Sequence, residues 1–128
     1  MRLGYIIVYV ADVPATVAFW ERAFGLACRF RHEDKYAEME TGATALAFAD
    51  EVFVQSSGVT FAANRQGSAA AGMEIGLVSA DVVGQFKIAV AAGCVAVVAP
   101  MQKPWGQTVS YVRDCNGVLV EICSPIAA

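Results

Sequence analysis

Apolar positions along the chain change their period in a fixed order. Leu3–Val10 is an apolar, β-branched run, the pattern of a strand. Asp12 stands where a helix N-cap belongs, and Pro14 suits the first turn. Val13, Val17, Trp20 and Phe24 recur at helical spacing, and Gly25 stops the helix. Three strands are expected next, at Leu26–Arg31, Tyr36–Glu40 and Thr44–Ala49, with Glu40-Thr41-Gly42 as a turn.

The same order returns from Met73. Met73–Ser79 is a second apolar strand, and Ala80-Asp81-Val82 repeats Ala11-Asp12-Val13 at an offset of 69 positions. Val82, Phe86 and Ala89 fall at that offset from Val13, Val17 and Trp20, and Gly93 ends the helix one position early. Val95–Ala99, Thr108–Arg113 and Val118–Cys123 are the following strands, with Asn116-Gly117 as a hairpin turn. The pattern predicts an α+β chain of two βαβββ modules, residues 1–55 and 73–128, forming one structural domain with pseudo-twofold symmetry. Residues 56–72, rich in Ser, Gly, Ala and Asn, read as a flexible linker.

Composition narrows the function classes. The 128 residues are 57% hydrophobic and 16% charged, which excludes disorder and leaves apolar surface for a dimer face or a ligand cavity. Net charge is −3 and the nine Lys and Arg are scattered, so no footprint for nucleic acid is present. The longest uncharged stretch, Ile88–Gln102, is interrupted by Gly93 and Pro100 and falls short of the roughly 18 residues a membrane span requires. Met1-Arg2 and the apolar run after it mimic a secretion signal, but Asp12 and Pro14 arrive too early and no cleavage site follows. Cys28, Cys94, Cys115 and Cys123 form no CxxC element. They are expected to be reduced thiols, mostly small buried hydrophobes, in a cytoplasmic protein.

Val10-Ala11-Asp12-Val13 with Ala18-Phe19-Trp20-Glu21-Arg22-Ala23-Phe24-Gly25-Leu26 resembles the opening of the vicinal oxygen chelate superfamily. Lys103-Pro104-Trp105-Gly106-Gln107, followed by Tyr111 to Ile122, resembles its closing segment, with Cys115 where members often carry Pro. The superfamily holds glyoxalase I, bleomycin-resistance-type binding proteins, extradiol dioxygenases and fosfomycin-modifying enzymes. The resemblance covers essentially the whole chain. It implies a cup-shaped mixed β-sheet with helices on the outer face, built from two modules, and metal ligands in metal-dependent members at matched points of the strands.

Those points fall here on Tyr5, Ala47, Glu74 and Glu121. A catalytic transition metal wants at least three protein ligands with imidazole prominent, and the one histidine, His32, is at none of the four points. No cofactor is therefore expected, although Glu74 and Glu121 could hold a divalent ion such as Mg²⁺ or Mn²⁺ with water. The two carboxylates either pair with cup residues, or anchor a ligand, or act as a general base. Ala45, Ala47 and Ala49 share one strand face and leave space, while Tyr5 and Tyr9 offer apolar bodies with polar tips. Tyr5, Tyr9, Ala47, Trp105 and Tyr111 are the expected ligand-binding residues, and Glu74 and Glu121 the expected catalytic ones.

The resemblance and these ligand points together lead to a glyoxalase/bleomycin-resistance-type protein binding a small organic molecule without a transition metal. The alternative is a divalent-metal lyase or isomerase of the glyoxalase I type using Glu74 and Glu121; whether any reaction is catalysed stays open at this point. A homodimer is expected, with Leu3–Val10 and Met73–Ser79 near the module seam.

Overall fold

A computed structural model describes residues 1–126. The chain divides into two compact units, Met1–Asn64 and from Arg65 onwards. The first contains β1 (Tyr5–Val10), α1 (Val13–Phe24), β2 (Cys28–His32), β3 (Tyr36–Met39), β4 (Ala45–Asp50) and the short α2 (Glu51–Ser56). The second contains β5 (Ile75–Val78), α3 (Val82–Ala91), β6 (Val95–Gln102), β7 (Thr108–Arg113) and β8 (Leu119–Cys123). Each unit is one four-stranded mixed sheet, ordered β1-β4-β3-β2 and β5-β8-β7-β6. In both, the first and last strands run parallel and the other pairs antiparallel. The α+β fold of two βαβββ modules expected from the periodicity is the one observed.

Local chemistry sets the element ends. The Asp12 carboxylate accepts from Ala15 N–H at 3.0 Å and Asp81 from Gly84 N–H at 3.0 Å, so each helix satisfies an otherwise orphaned donor. Gly25 closes α1 at φ 69°, its N–H reaching the Glu21 carbonyl. The β7–β8 turn is organised by Asp114, which is fully buried and accepts from Asn116 N–H and Val118 N–H, both at 2.8 Å.

Strand alternation builds the first core. Val8, Val10, Ala37, Met39, Leu46 and Phe48 are buried, as are Val13, Val17, Trp20 and Phe24 of α1. The fully buried Trp20 ring lies 4.4 Å from Phe24 and 5.5 Å from Phe48. In the second unit Val112, Val120 and Ile122 are fully buried, with Val82 and Ala89 of α3.

Three local features depart from the expected pattern. Asp50 ends β4 and also caps α2, its carboxylate accepting from Phe53 N–H at 3.0 Å, so a helix turn stands where only a strand end was expected. β6 runs on to Gln102 through Pro100, which an edge strand tolerates because one side of it needs no donor. Residues 57–74 hold no helix or strand, yet they are not a free coil. Arg113 donates to the Arg65, Gln66 and Ser68 carbonyls, and Gln66 donates to the Asp114 carbonyl at 3.0 Å.

Gly117 sits where these ties converge, at φ 82°, and a Cβ there would meet the Arg65 carbonyl and the Arg113 guanidinium. Gly42 has a similar φ of 92° with open space around it. Gly42→Ala should therefore cost only the left-handed backbone penalty, about 1 kcal/mol, and Gly117→Ala that penalty plus a clash, about 3 kcal/mol. Urea unfolding of the two variants, compared by midpoint, checks the difference.

Candidate functional site

The faces turned away from α1 and α3 carry the polar chemistry. In the first unit Tyr5, Ile7 and Tyr9 stand beside Ala45, Ala47 and Ala49 in parallel register. Ala47 is fully buried between Ile7 on one side and Glu38 of β3 on the other. The Glu38 carboxylate is compensated: Arg29 Nε donates to it at 3.2 Å and the Tyr36 hydroxyl at 2.8 Å. Burial pushes the Tyr36 phenol up, reinforced by that hydrogen bond and the Glu38 charge. The Tyr9 ring lies 4.9 Å from Phe61, and Asn64 donates to the Tyr9 carbonyl at 3.1 Å, so residues after α2 cover that end of the face. His32 ends β2, exposed and opposite Tyr36.

In the second unit Glu121 of β8 lies between Gly76 of β5 and Tyr111 of β7. Ile7 and Gly76 are separated by the 69-residue repeat, so pairing makes Ala47 the counterpart of Glu121 and Glu38 that of Tyr111. Glu74 precedes β5 by one residue, and its carboxylate acts on that of Glu121 as a neighbouring like charge. Glu121 is accordingly held above the usual carboxylate range, first by burial, then by the Glu74 charge, with Cys123 and Lys103 pulling the other way. Burial and the two carboxylates raise the Tyr111 phenol, and burial and Glu121 raise the Cys123 thiol.

An open groove of about 500 Å³ runs along this face, lined by Gly76, Val78, Gln107, Glu121, Cys123, Ser124, Pro125 and Ile126. A second hollow of about 380 Å³ touches Met73, Glu74, Tyr111 and Leu119. Glu74, Tyr111 and Glu121 are thus brought together in one unit, and Tyr5, Tyr9 and Ala47 in the other. Trp105 is exposed in the turn before β7, its indole N–H donating to the Gln107 side chain at 2.8 Å. Gln107, rather than the indole, lines the groove, anchored by its own donation to the Ser124 carbonyl at 2.9 Å.

Sequence reasoning did not single out Gln107, Ser124 or the Arg29–Glu38–Tyr36 group. The signal for the last was present: Tyr36 and Glu38 sit two apart on a strand, sharing a face with Tyr5 and Ala47. Among the described residues no group of three or more His, Cys, Asp or Glu side chains is placed to hold a metal ion. No helix among them is long and apolar enough to cross a membrane.

The raised Glu121 has a pH consequence. Its folded value lies above its unfolded one, so its contribution to stability is full below the ordinary carboxylate range and is lost as pH rises through the raised value. Glu121→Gln should therefore melt higher than the parent at neutral pH, with the gap closing near about pH 4. Thermal melts at both pH values test this, and an unchanged gap would count against the raised Glu121 carboxyl.

A family model for the Glyoxalase/Bleomycin resistance protein/Dioxygenase superfamily matches residues 2–122. No curated relative matches the chain. Among solved structures, a glyoxalase-related enzyme from Fulvimarina pelagi is 21% identical, with a TM-score of 0.81 over 98% of this chain and 88% of that one. A glyoxalase/bleomycin resistance protein/dioxygenase from Nocardioides is 18% identical, with a TM-score of 0.76 over 100% of this chain and 85% of that one. TioX from Micromonospora sp. ML1 is 23% identical, with a TM-score of 0.72 over 97% and 98%. At such identities these likenesses concern the fold.

Proposed function

The chain belongs to the glyoxalase/bleomycin resistance protein/dioxygenase superfamily, and from that premise we propose that it binds a small organic molecule against Glu74, Tyr111 and Glu121, without a transition metal. The carrying observation is the Glu121 carboxyl, held above the usual range by burial and the Glu74 charge, at the wall of an otherwise largely apolar groove, with Glu74 and Tyr111 lining a second hollow. Val78, Pro125 and Ile126 offer a surface for an apolar body, while Glu121 and Gln107 offer acceptors and donors that fix its orientation. The Tyr5, Tyr9 and Ala47 face of the first unit is proposed, by itself, as a further ligand-binding face.

The donor set does not fit a transition metal. Two carboxylates fall short of the three protein ligands such a site normally uses, and the one imidazole ends β2, opposite Tyr36 rather than beside the pair. One observation favours a second reading, a divalent-metal lyase or isomerase of the glyoxalase I type. Two neighbouring carboxylates whose charges act on each other could grip one hard cation such as Mg²⁺ or Mn²⁺, with water completing its shell.

A thermal-shift screen across antibiotics, aromatic acids and glutathione adducts tests the first reading, run with EDTA and again with millimolar Mn²⁺. The expected outcome is a stabilising ligand in EDTA, because binding to the folded state raises stability by mass action. Gly76→Leu should abolish that shift while leaving the fold intact. A Cβ at Gly76 makes only ordinary contact with Glu121, 4.0 Å from its carboxylate, and the larger side chain extends into the groove. A shift seen with Mn²⁺ alone, and lost in Glu74→Gln, would favour the metal reading instead.

A further inference from the structure

We propose that Arg113 is a positioning residue: its grip on the backbone at 65–68 holds residues 69–74 as a strap on the face turned away from α3, and so forms the hollow beside Glu74 and Tyr111. In treating that hollow as part of a binding site the inference rests on the ligand reading; the placement of the strap does not.

The Arg113 guanidinium is committed to backbone. Its Nε donates to the Gly117 carbonyl at 2.8 Å and its Nη1 to that of Gln66 at 3.2 Å. Its Nη2 donates to the Arg65 carbonyl at 3.2 Å and the Ser68 carbonyl at 2.6 Å. The fork is planar and rigid, so one side chain fixes the 65–68 turn against the β7–β8 turn. Gln66 adds a second tie to the Asp114 carbonyl at 3.0 Å, and Ser68 N–H closes the turn onto the Arg65 carbonyl at 3.2 Å.

The sheet itself does not place Glu74. Its counterpart in the repeat, Tyr5, opens β1 and pairs with Ala45. In the second unit the ladder begins one residue later, at Ile75 opposite Val120, so Glu74 lies outside it. Its place is set by the chain entering β5. Only residues 69–74 separate Ser68, held by Arg113, from Ile75, held by the sheet. Within them Met73 N–H donates to the Ala71 carbonyl at 2.7 Å, a further restriction on the path. So short a segment, fixed at both ends, has few conformations; released at one end it gains many.

The strap also makes the hollow. Ala71, Gly72, Met73 and Glu74 line it from the strap, and Tyr111 and Leu119 from the sheet. Tyr111 and Arg113 are alternate residues of β7 on one face, with Glu121 paired to Tyr111 and Leu119 to Arg113. The gripping residue thus stands next along the face from Tyr111. The Glu74 charge acts on Glu121 across this short span, a proximity unfavourable in itself and kept because the strap is held.

Arg113→Lys keeps the charge and loses the fork. Trypsin should then cut the Arg65–Gln66 bond, whose carbonyl Arg113 and Ser68 hold in the parent, about tenfold faster, with cleavage after Lys87 and Lys103 unchanged. The amide resonances of Gly72, Met73 and Glu74 should shift and exchange faster, while those of β8 stay. Gln66→Ala removes the second tie without touching β7 and should move the same signals less. A double-mutant cycle separates positioning from support of the fold. Glu74→Gln removes the charge acting on Glu121, so it should raise the melting temperature of the parent and leave that of Arg113→Lys unchanged. Unaltered cleavage after Arg65, an equal effect of Glu74→Gln in both backgrounds, or faster cleavage at every site together would each overturn the proposal, the last because Arg113 would then support the whole fold. A compound from the thermal-shift screen that stabilises the parent and Arg113→Lys alike would also overturn it, while leaving the ligand reading intact. The absence of any such compound would sink that reading and leave the strap to be judged by the cleavage rates.

Discussion

Each unit has four strands and one long helix, and a sheet has two faces. The helix covers one face only, so the period of two along every strand divides the residues into a packed set and an uncovered set. Val8 and Val10, Leu46 and Phe48, Val120 and Ile122 belong to the packed set, and all six are buried. The residues between them, Tyr5, Ile7 and Tyr9, Ala47, Glu121, have no helix above them. Polar and titratable groups collect there because the packed face cannot accept them without hydrogen-bond partners.

The two uncovered faces answer that constraint in different ways. In the first unit the carboxylate is on β3, and Arg29 and Tyr36 satisfy Glu38 from both sides. In the second unit the matching position on β7 is Tyr111, and the carboxylates have moved to β8 and to the residue before β5. Tyr5 and Glu74 are likewise exchanged across the repeat. Burial and the neighbouring Glu74 charge hold Glu121 above the usual carboxylate range, a less favourable arrangement than the guanidinium contact of Glu38. An interaction that fails to stabilise the fold, yet is held in place by strand register beside an open groove, has the properties expected of a site.

The repeat was legible because three kinds of signal agreed. Helix stripes and aspartate caps fell at one offset and the glycine stops within one position of it, and each is a local effect that a sequence displays directly. Strand ends were less sharp: Glu74 sits just outside β5, and β6 outlasts its reading by three residues because an edge strand accommodates Pro100. α2 was hidden because Asp50 does two jobs, ending a strand and capping a helix turn. The Glu74–Glu121 contact was visible only as two isolated carboxylates at equivalent points. Their proximity depends on the path of the chain into β5, which no periodicity encodes. The Arg29–Glu38 contact spans neighbouring strands across a register shift, so a simple count of alternation misplaces Arg29.

The repeat also separates what the fold requires from what it permits. Asp12 and Asp81, Val13 and Val82, and buried residues on the last strand, Leu46 and Phe48 in one unit and Val120 and Ile122 in the other, recur in both units because helix capping and sheet packing leave little choice. On the packed face the differences are of size, as between the buried Trp20 and Ala89, whereas differences of chemistry lie off it: alanines opposite carboxylates, a charged rim on α1 and β2 opposite an apolar one on α3 and β6, a short helix present in one unit alone. A residue pattern shared by the two units is therefore evidence about architecture. A pattern held by one of them answers a demand that packing does not make, and in the second unit both the uncovered face and the outer rim carry such patterns.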